Sequence, residues 1–332
     1  MRVPGGGRPR GPLGEFGEAV LRGYGQIYFC DSWLSGALFI AATALLFPAA
    51  AAYGVAAVVV GTATARTLGE PPSLIRRGFF GYNAALVGLG WAWLRVDTPT
   101  ASLALFVVAA GATAAGEALW LRNVEVGRLA LPSLSVPFVL ATWGAMALLG
   151  AGVLAEPPRP PAAGAMLAAA GLTAAGMAAF SVRLATLGVY GALLGAMTGA
   201  VLGVPLDVQL VSIAAFNAAP AAIALGGYFV VWGTGAFALA TVAAPAVALA
   251  WVLLRHAPGP LGLAPLTAPF CLVTLLALAG IARHRGWARR VGLHLVPLLF
   301  AAGPETALGW LRRQRQVEQY WERLALGDRQ KA

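Results

Sequence analysis

Charge is what this sequence has least of. Only 11% of its 332 residues are Asp, Glu, Lys or Arg, and lysine occurs once, at Lys331. Soluble domains carry roughly a quarter charged residues, so the composition excludes a soluble globular protein. With 59% hydrophobic residues and a mean hydropathy of +0.76, the chain is expected to be an integral membrane protein with little mass outside the bilayer.

Cysteine and histidine are also scarce, which removes two classes of site. Cys30 and Cys271 lie far apart in apolar sequence, so neither a disulfide framework nor a cysteine metal site is indicated. The three histidines, His256, His284 and His294, lack the short spacings of metal ligands. No nucleophile–base pair or phosphate-binding loop is readable either, so the sequence predicts no enzyme and no cofactor.

The few basic residues are concentrated towards the two ends of the chain, and the formal net charge is +10. Basic flanks of membrane segments are retained on the cytoplasmic side, so we expect both termini in the cytoplasm and a multi-pass protein of the inner (plasma) membrane. Nucleic acid is disfavoured as a partner, because no soluble domain remains to carry the positive charge.

Ten apolar segments of roughly 14 to 23 residues, several broken by Pro or Gly, fill most of the chain. Helices are the only elements expected in them, because lipid offers no partner to an unpaired backbone group and the alternation of a barrel strand is absent. The segments lie at 34–47, 49–66, 78–95, 100–120 and 133–154, then at 162–181, 184–204, 208–230, 232–254 and 266–282.

Two motifs each occur twice along the chain. LPSLSVPF at 131–138 and LAPLTAPF at 263–270 both place a hydroxyl residue, Ser135 or Thr267, two positions before Pro-Phe. YNAA at 82–85 is matched by FNAA at 216–219, so both motifs recur after nearly the same interval. A membrane chain with such a period is typical of two homologous halves around a central path.

The period and the Pro-rich break at 157–161 divide the chain into four parts. We expect a disordered basic N-terminus over 1–13, a first membrane repeat over 14–155 and a second over 156–283. The remainder, 284–332, is expected to be a basic cytoplasmic tail with a possible surface helix. The predicted fold class is an all-α membrane protein of two repeats of about five helices.

Two features indicate polar groups at membrane depth. The segment 22–36 is too polar for a lipid-facing span and too apolar for an ordinary loop, so it is interpreted as a re-entrant element that lines a cavity, with Gln26 and Phe29 facing inward; an interfacial loop with aromatic anchors is the alternative. Ser135 and Thr267 stand where proline frees backbone carbonyls, which makes a neutral hydrogen-bonding station. A hydroxyl in a membrane helix more often bonds its own backbone.

Two charges lie inside apolar sequence. Arg183 is interpreted as part of a loop between two short helices, with a buried cation that faces a cavity as the alternative. Glu117 lies near the end of an apolar run and is expected to mark an interface.

These motifs resemble those of the urea transporter family. The similar elements are GQIYF at 25–29, GYNAALVG at 81–88, and the two Leu-Pro-x-Leu-Ser/Thr-x-Pro-Phe elements, of which the second has Ala264 before its proline. The resemblance spans about residues 19–283. It implies two inverted halves of five transmembrane helices, each with a re-entrant pore helix, and a homotrimer with one pore per subunit. Urea would pass down its gradient, uncoupled to ions.

The resemblance also implies a set of substrate-binding residues. Gln26 would take a urea amide at one pore mouth, aromatic and apolar walls would come next, and two hydroxyls would line the middle of the pore. The implied set is Gln26, Phe29, Tyr82, Leu86, Ser135, Phe216 and Thr267.

The second half departs from the family pattern. In the first half, Gln26 precedes Tyr82 by 56 residues, and the family pattern has a Gln or Glu at the same distance before the second-half aromatic residue. The same distance before Phe216 is occupied by Pro160. Glu156 is the nearest residue that could replace the missing Gln or Glu. Pro220 replaces the leucine that Leu86 predicts. The alternatives to urea passage are therefore a channel for another small neutral solute (a short amide, water or ammonia) and a membrane scaffold that does not transport. An ion-coupled transporter would need intramembrane carboxylates, for which only Glu117 and Asp207 are candidates.

Overall fold

The computed structural model describes residues 11–92, 99–126, 129–149, 161–256, 264–298, 301–314 and 316, and these residues form a helical membrane protein. One minimal antiparallel ladder joins β1 (Glu125–Val126) to β2 (Leu129–Ala130). The helices of the first half are α1 (Pro12–Gly25), α2 (Trp33–Leu46), α3 (Pro48–Thr67), α4 (Pro72–Arg76), α5 (Tyr82–Trp91), α6 (Pro99–Asn123) and α7 (Val136–Leu148).

The second half has five helices that correspond in order to α2, α3, α5, α6 and α7 of the first half. These five are followed by a short helix and by a further helix near the C-terminus. These helices are α8 (Ala163–Phe180), α9 (Val182–Val201), α10 (Leu206–Tyr228), α11 (Thr234–His256), α12 (Ala268–Arg283), α13 (Arg285–Arg290) and α14 (304–314).

Each of the ten predicted apolar segments coincides with one of these helices, so the all-α prediction is confirmed. Helix α1 begins at Pro12, inside the segment 1–13 that the sequence assigns to a disordered tail. Proline suits the first turn because its missing N–H would be unsatisfied there anyway, and Glu15 lies in the same turn, where the helix dipole favours an acid.

Among the residues that the structure describes, six helices are long and apolar enough to cross a membrane by length and composition: α3, α6, α8, α9, α10 and α11. Their outer faces are apolar too, as for Leu167 on α8, which is 75% exposed. A helix that is hydrophobic all round is typical of a lipid environment. The shorter helices α7 and α12, which follow the repeated Pro-containing motifs, are too short to span alone.

Helices α1 and α2 form a sharply bent pair. They meet at 71°, with a 3₁₀ turn at Gln26–Tyr28 between them. The close approach requires Gly36, because a Cβ atom there would lie 1.8 Å from the carbonyl oxygen of Leu21. The chain therefore turns within the segment 22–36, as the sequence predicts, and does not continue as one straight span.

An asparagine clamps the broken backbone in each half. Asn83 Nδ2 donates to Leu134 O at 3.1 Å, and Phe138 N donates to Asn83 Oδ1 at 3.2 Å. In the second half, Asn217 Nδ2 donates to Leu266 O at 2.9 Å. Phe270 N likewise donates to the Asn217 side-chain oxygen, at 3.0 Å. The two repeated motifs therefore bind each other by the same pair of bonds in both halves.

The clamped leucines have the same unusual backbone. Leu134 has φ of 50° and Leu266 has φ of 49°. The left-handed region costs a non-glycine residue about 1–2 kcal/mol, and in each half the asparagine holds the affected carbonyl. This conformation starts α7 and α12 in the interior of the protein, directly after Ser135 and Thr267.

The segment after α13 folds back on the second half. Val230 and Leu295 form an antiparallel bridge, Val231 N donates to His294 O at 2.8 Å, and Val296 N donates to Phe229 O at 2.9 Å. The start of α14 lies at the junction of α8 and α9, where Ser181 Oγ donates to Glu305 Oε1 at 3.0 Å. This part of the tail is built into the bundle and does not lie free on its surface.

We expect Asn217→Leu to destabilise the protein, because it leaves Leu266 O and Phe270 N without their partner. Each buried group left unpaired costs about 1–3 kcal/mol. The apparent melting temperature of detergent-purified protein, followed by size-exclusion chromatography, should fall by several degrees. Asn123→Leu is the matched control, since Asn123 is exposed and bonds only Leu119 O of its own helix. Equal melting of the two variants would refute the clamp.

We expect Gly235→Ala to loosen the docked tail. A Cβ atom at Gly235 would lie 2.3 Å from Val291 O, whereas at Gly280, the control position, it would meet nothing within 4 Å. Overpacking typically costs about 1–3 kcal/mol, so trypsin cleavage at Arg289 and Arg290 should become about tenfold faster. A cleavage rate equal to that of Gly280→Ala would show that the contact does not hold the tail.

Candidate functional site

One interior cavity of about 40 Å³ lies between the two halves. A single water needs about 10–15 Å³, so there is room for a solute of a few heavy atoms. All seven residues that the sequence nominates line this cavity: Gln26, Phe29, Tyr82, Leu86, Ser135, Phe216 and Thr267. The structure thus brings the whole set together, while its role in binding a solute stays a prediction.

The two repeated hydroxyls meet in the interior. Ser135 Oγ lies 2.7 Å from Thr267 Oγ1 and 3.2 Å from Cys271 Sγ. Neither hydroxyl caps its own helix, although that is the commoner arrangement for such residues. The N-termini of α7 and α12 therefore meet at a shared pair of hydroxyls.

Each of the two helices that follow these hydroxyls extends beside the segment that precedes the other. Trp143, in the body of α7, donates through Nε1 to Ala264 O at 2.9 Å, just before the start of α12. Leu278, in the body of α12, lies beside Leu131 and Pro132, just before the start of α7, around a smaller second cavity. Each helix therefore extends past the beginning of the other.

Phe29 joins the first half to an aromatic cluster of the second half. Its ring centroid lies 4.7 Å from that of Tyr228, 5.7 Å from that of Phe229 and 6.4 Å from that of Phe270. Phe29 directly follows the 3₁₀ turn Gln26–Tyr28 and has a left-handed backbone conformation, with φ of 60°. Sequence reasoning missed Tyr228 and Phe229, because neither belongs to a repeated motif.

Gln26 is positioned by the turn between α1 and α2. Its Nε2 donates to Arg77 O at 2.9 Å. Asp31 fixes the same turn, because its carboxylate accepts from Arg22 Nη1 at 2.7 Å and from Arg77 Nε at 2.9 Å. The side chain of Arg77 also donates to Ala301 O at 3.2 Å, which joins this side of the cavity to the docked tail.

Phe216 and Pro220 form the second-half counterpart of the wall at Tyr82 and Leu86, and both line the cavity. Pro220 has no N–H to donate to Phe216 O, so the regular α-helical ladder cannot continue there. The stretch Gln209–Ala218 of α10 adopts π-helical geometry directly before it. The proline thus changes both the side chain and the local helix of this wall.

Glu117 is buried inside the protein, a position that the sequence analysis did not predict. It is 1% exposed and lines the cavity. Its Oε2 accepts from Tyr82 Oη at 3.1 Å, from Asn83 Nδ2 at 2.9 Å and from Ser133 Oγ at 2.6 Å. The signal for Glu117 was present in the sequence, since an acidic residue within an apolar run is costly unless it faces an interior.

Arg183 is the second residue of α9. Neither the interpretation as part of a loop nor the interpretation as a buried cation describes this position fully. Its side chain is 45% exposed and lies 3.5 Å from Glu305 Oε1. It is therefore not a buried cation that faces a cavity, and the connection between α8 and α9 is the single residue Ser181. The expected second-half filter at Glu156 and Pro160 lies outside the described residues.

Comparison with known proteins agrees with this architecture. The family model described as "Urea transporter" matches residues 18–169 and again residues 162–281. Proteins named urea transporter 1 from Ovis aries and Capra hircus are each 29% identical to the chain over 303 residues, which cover 80% of this chain and 77% of theirs. The Mus musculus protein of the same name is 28% identical over 305 residues.

The second matched stretch begins downstream of Glu156 and Pro160, where the motif spacing puts the second-half filter. The two stretches together include both asparagine clamps, both hydroxyls and the element Gln26–Phe29. The structure is a membrane bundle of two repeats, and one family model matches both of them. This family consists of transporters and not of enzymes. The chain belongs to the urea transporter family.

Proposed function

We propose that this protein passes urea across a membrane, down its gradient, through a narrow slot whose walls are aromatic and apolar. The observation that carries the proposal is the gathering of the seven nominated residues around one cavity with room for a solute of a few heavy atoms. The relatives from Ovis aries and Capra hircus are named urea transporters, which supports urea as the solute.

The polar groups of the cavity suit a small neutral amide. Urea is flat, with N–H donors along its edges and one carbonyl acceptor, and the hydroxyl pair Ser135–Thr267 can donate to or accept from it. Phe29 and Phe216 supply flat apolar walls. An ion would lose its hydration in such a slot without replacement ligands, so ions are refused.

The assembly and orientation are part of the same proposal. The body of α7 lies beside the segment before α12, and the body of α12 lies beside the segment before α7. This reciprocal arrangement supports two halves of inverted topology. Only 17% of the apolar length of α8 is buried within one chain, which leaves a large apolar face for lipid or for a second copy in a homotrimer. The basic ends of the chain support a plasma-membrane protein with both termini in the cytoplasm.

Pro220 favours a second candidate, a channel for another small neutral solute. It stands in the wall where the first half has Leu86, and the helix before it is π-helical. A changed wall alters the width of the slot, and a short amide, water or ammonia would then pass in place of urea. A scaffold that does not transport is the outcome if none of these solutes passes.

Gln26→Ala should lower urea flux without unfolding the protein. One lost hydrogen bond of about 0.5–1.5 kcal/mol corresponds to a fall of about 2- to 12-fold. The measurement is stopped-flow light scattering on proteoliposomes, with glycerol as the comparison solute. Gln209→Ala is the matched control, because Gln209 is equally buried but bonds Val204 O away from the cavity. Unchanged flux in Gln26→Ala would remove Gln26 from the site.

Thr267→Val should also lower urea flux, by about threefold or more, because it removes the hydroxyl that pairs with Ser135 and keeps the side-chain volume. Thr274→Val is the control on the same helix, since the Thr274 hydroxyl is buried without a hydrogen-bond partner among the described residues and does not line the cavity. If Thr267→Val conducts as fast as Thr274→Val, the central hydroxyl pair has no part in conduction.

A further inference from the structure

A polar cluster in the cavity wall occurs in only one of the two matched halves. Its members are Tyr82, Glu117 and Ser133. When the halves are aligned on their repeated motifs, Tyr82 corresponds to Phe216, Ser133 to Pro265, and Glu117 to the apolar stretch 249–251. All three polar groups of the cluster are therefore absent from the second half, although the Asn clamp and the central hydroxyl are kept.

The three residues form one hydrogen-bonded unit. The Tyr82 hydroxyl lies 3.0 Å from Ser133 Oγ and 2.5 Å from Leu134 O, and its one hydrogen can go either to Leu134 O or to the carboxyl of Glu117. The Ser133 hydroxyl reaches the same carboxyl. Asn83 adds a third donor to the same carboxyl oxygen. The unit therefore holds Glu117 in one orientation against the broken backbone at Leu134.

The second carboxyl oxygen of Glu117 is left for a solute. All three donors reach Oε2, and no described side chain or backbone group donates to Oε1. None of the ion pairs among the described residues involves Glu117, and the residue lines the cavity. A buried carboxyl group without a cationic partner needs donors, and a solute in the cavity can supply them.

We propose that Glu117 is a specificity-determining residue whose Oε1 accepts N–H donors from planar solutes, so that the site also binds guanidinium-type cations. The inference rests on the proposed transport of urea through this cavity and specifies which chemical groups of a solute the cavity recognises. Urea and guanidinium share a flat three-branched frame with N–H groups on neighbouring edges. Guanidinium differs by having only donors and a positive charge, which a carboxylate favours.

Guanidinium is bound as a competitor of urea. Beyond Glu117 the cavity offers the N-termini of α7 and α12 at Ser135 and Thr267, where the helix dipoles disfavour a cation. A donor-only cation also gains nothing from the hydroxyl hydrogens of that pair. Low concentrations of guanidinium should therefore slow urea flux and compete with urea.

The test is Glu117→Gln. The glutamine oxygen can keep the bonds from Tyr82, Asn83 and Ser133, and the amide nitrogen then replaces Oε1 in the cavity. The substitution thus changes the group that faces the solute from an acceptor to a donor and removes its charge, with little change in shape. Glu70→Gln is the matched control, because Glu70 is also buried but pairs with Arg122 and does not line the cavity.

Two measurements use the full chain. Isothermal titration calorimetry on detergent-purified protein measures the binding of guanidinium chloride, with sodium chloride at equal ionic strength as the blank. Stopped-flow light scattering on proteoliposomes measures urea flux with and without low millimolar guanidinium. We expect saturable guanidinium binding and slowed urea flux for the wild type and for Glu70→Gln, and at least about tenfold weaker binding for Glu117→Gln.

The two measurements separate this inference from the proposed function. Saturable guanidinium binding that depends on Glu117, in a protein without urea flux, supports the inference and refutes urea transport. Urea flux that guanidinium leaves unchanged, or slows equally in Glu117→Gln, overturns the inference and leaves urea transport standing. A folded wild type that shows no saturable guanidinium binding overturns it as well.

Discussion

The asparagine clamp is the interaction on which the rest of the structure depends. Broken helices leave backbone groups that lipid cannot satisfy, and Asn83 and Asn217 satisfy one carbonyl and one N–H in each half. The clamp holds a leucine in the left-handed region and starts a half-length helix at the following hydroxyl residue. Without it the hydroxyls could not meet in the interior, because a continuous helix would bond its own backbone and pass through.

The two halves share this frame but differ in what they build around it. The first half adds the bent pair α1–α2 and the Glu117 cluster. Among the described residues, the second half has Pro220 in its wall and the docked C-terminal segment at Phe229–Val231. Leu298 of that segment lines the cavity, so the tail supplies part of the wall beside the second half. A repeat in sequence therefore gives a common centre with unlike sides.

The frame could be predicted from the sequence, together with the turn within 22–36 and the departure at Pro220, whereas the Glu117 cluster and the docked tail could not. Hydrophobic runs indicated ten helical segments, because lipid leaves the backbone no alternative, and the repeated motifs identified residues that do gather around one cavity. The inward position of Glu117 depends on its partners Tyr82 and Ser133, which are 35 and 16 residues away. The docking of the tail on Val231 depends on a contact between segments without a shared pattern, which local periodicity cannot show.

The polar groups of the cavity are of two opposite kinds, and this decides what it can hold. Around Ser135 and Thr267, two hydroxyls and two helix N-termini favour an acceptor. At Glu117, a carboxyl oxygen without a donor among the described residues favours N–H groups. A solute with an acceptor on one edge and donors on the others can satisfy both kinds at once, whereas a simple cation or anion matches only one of them. The proposed preference for an amide therefore rests on the pairing of unlike groups across one small space and not on size alone.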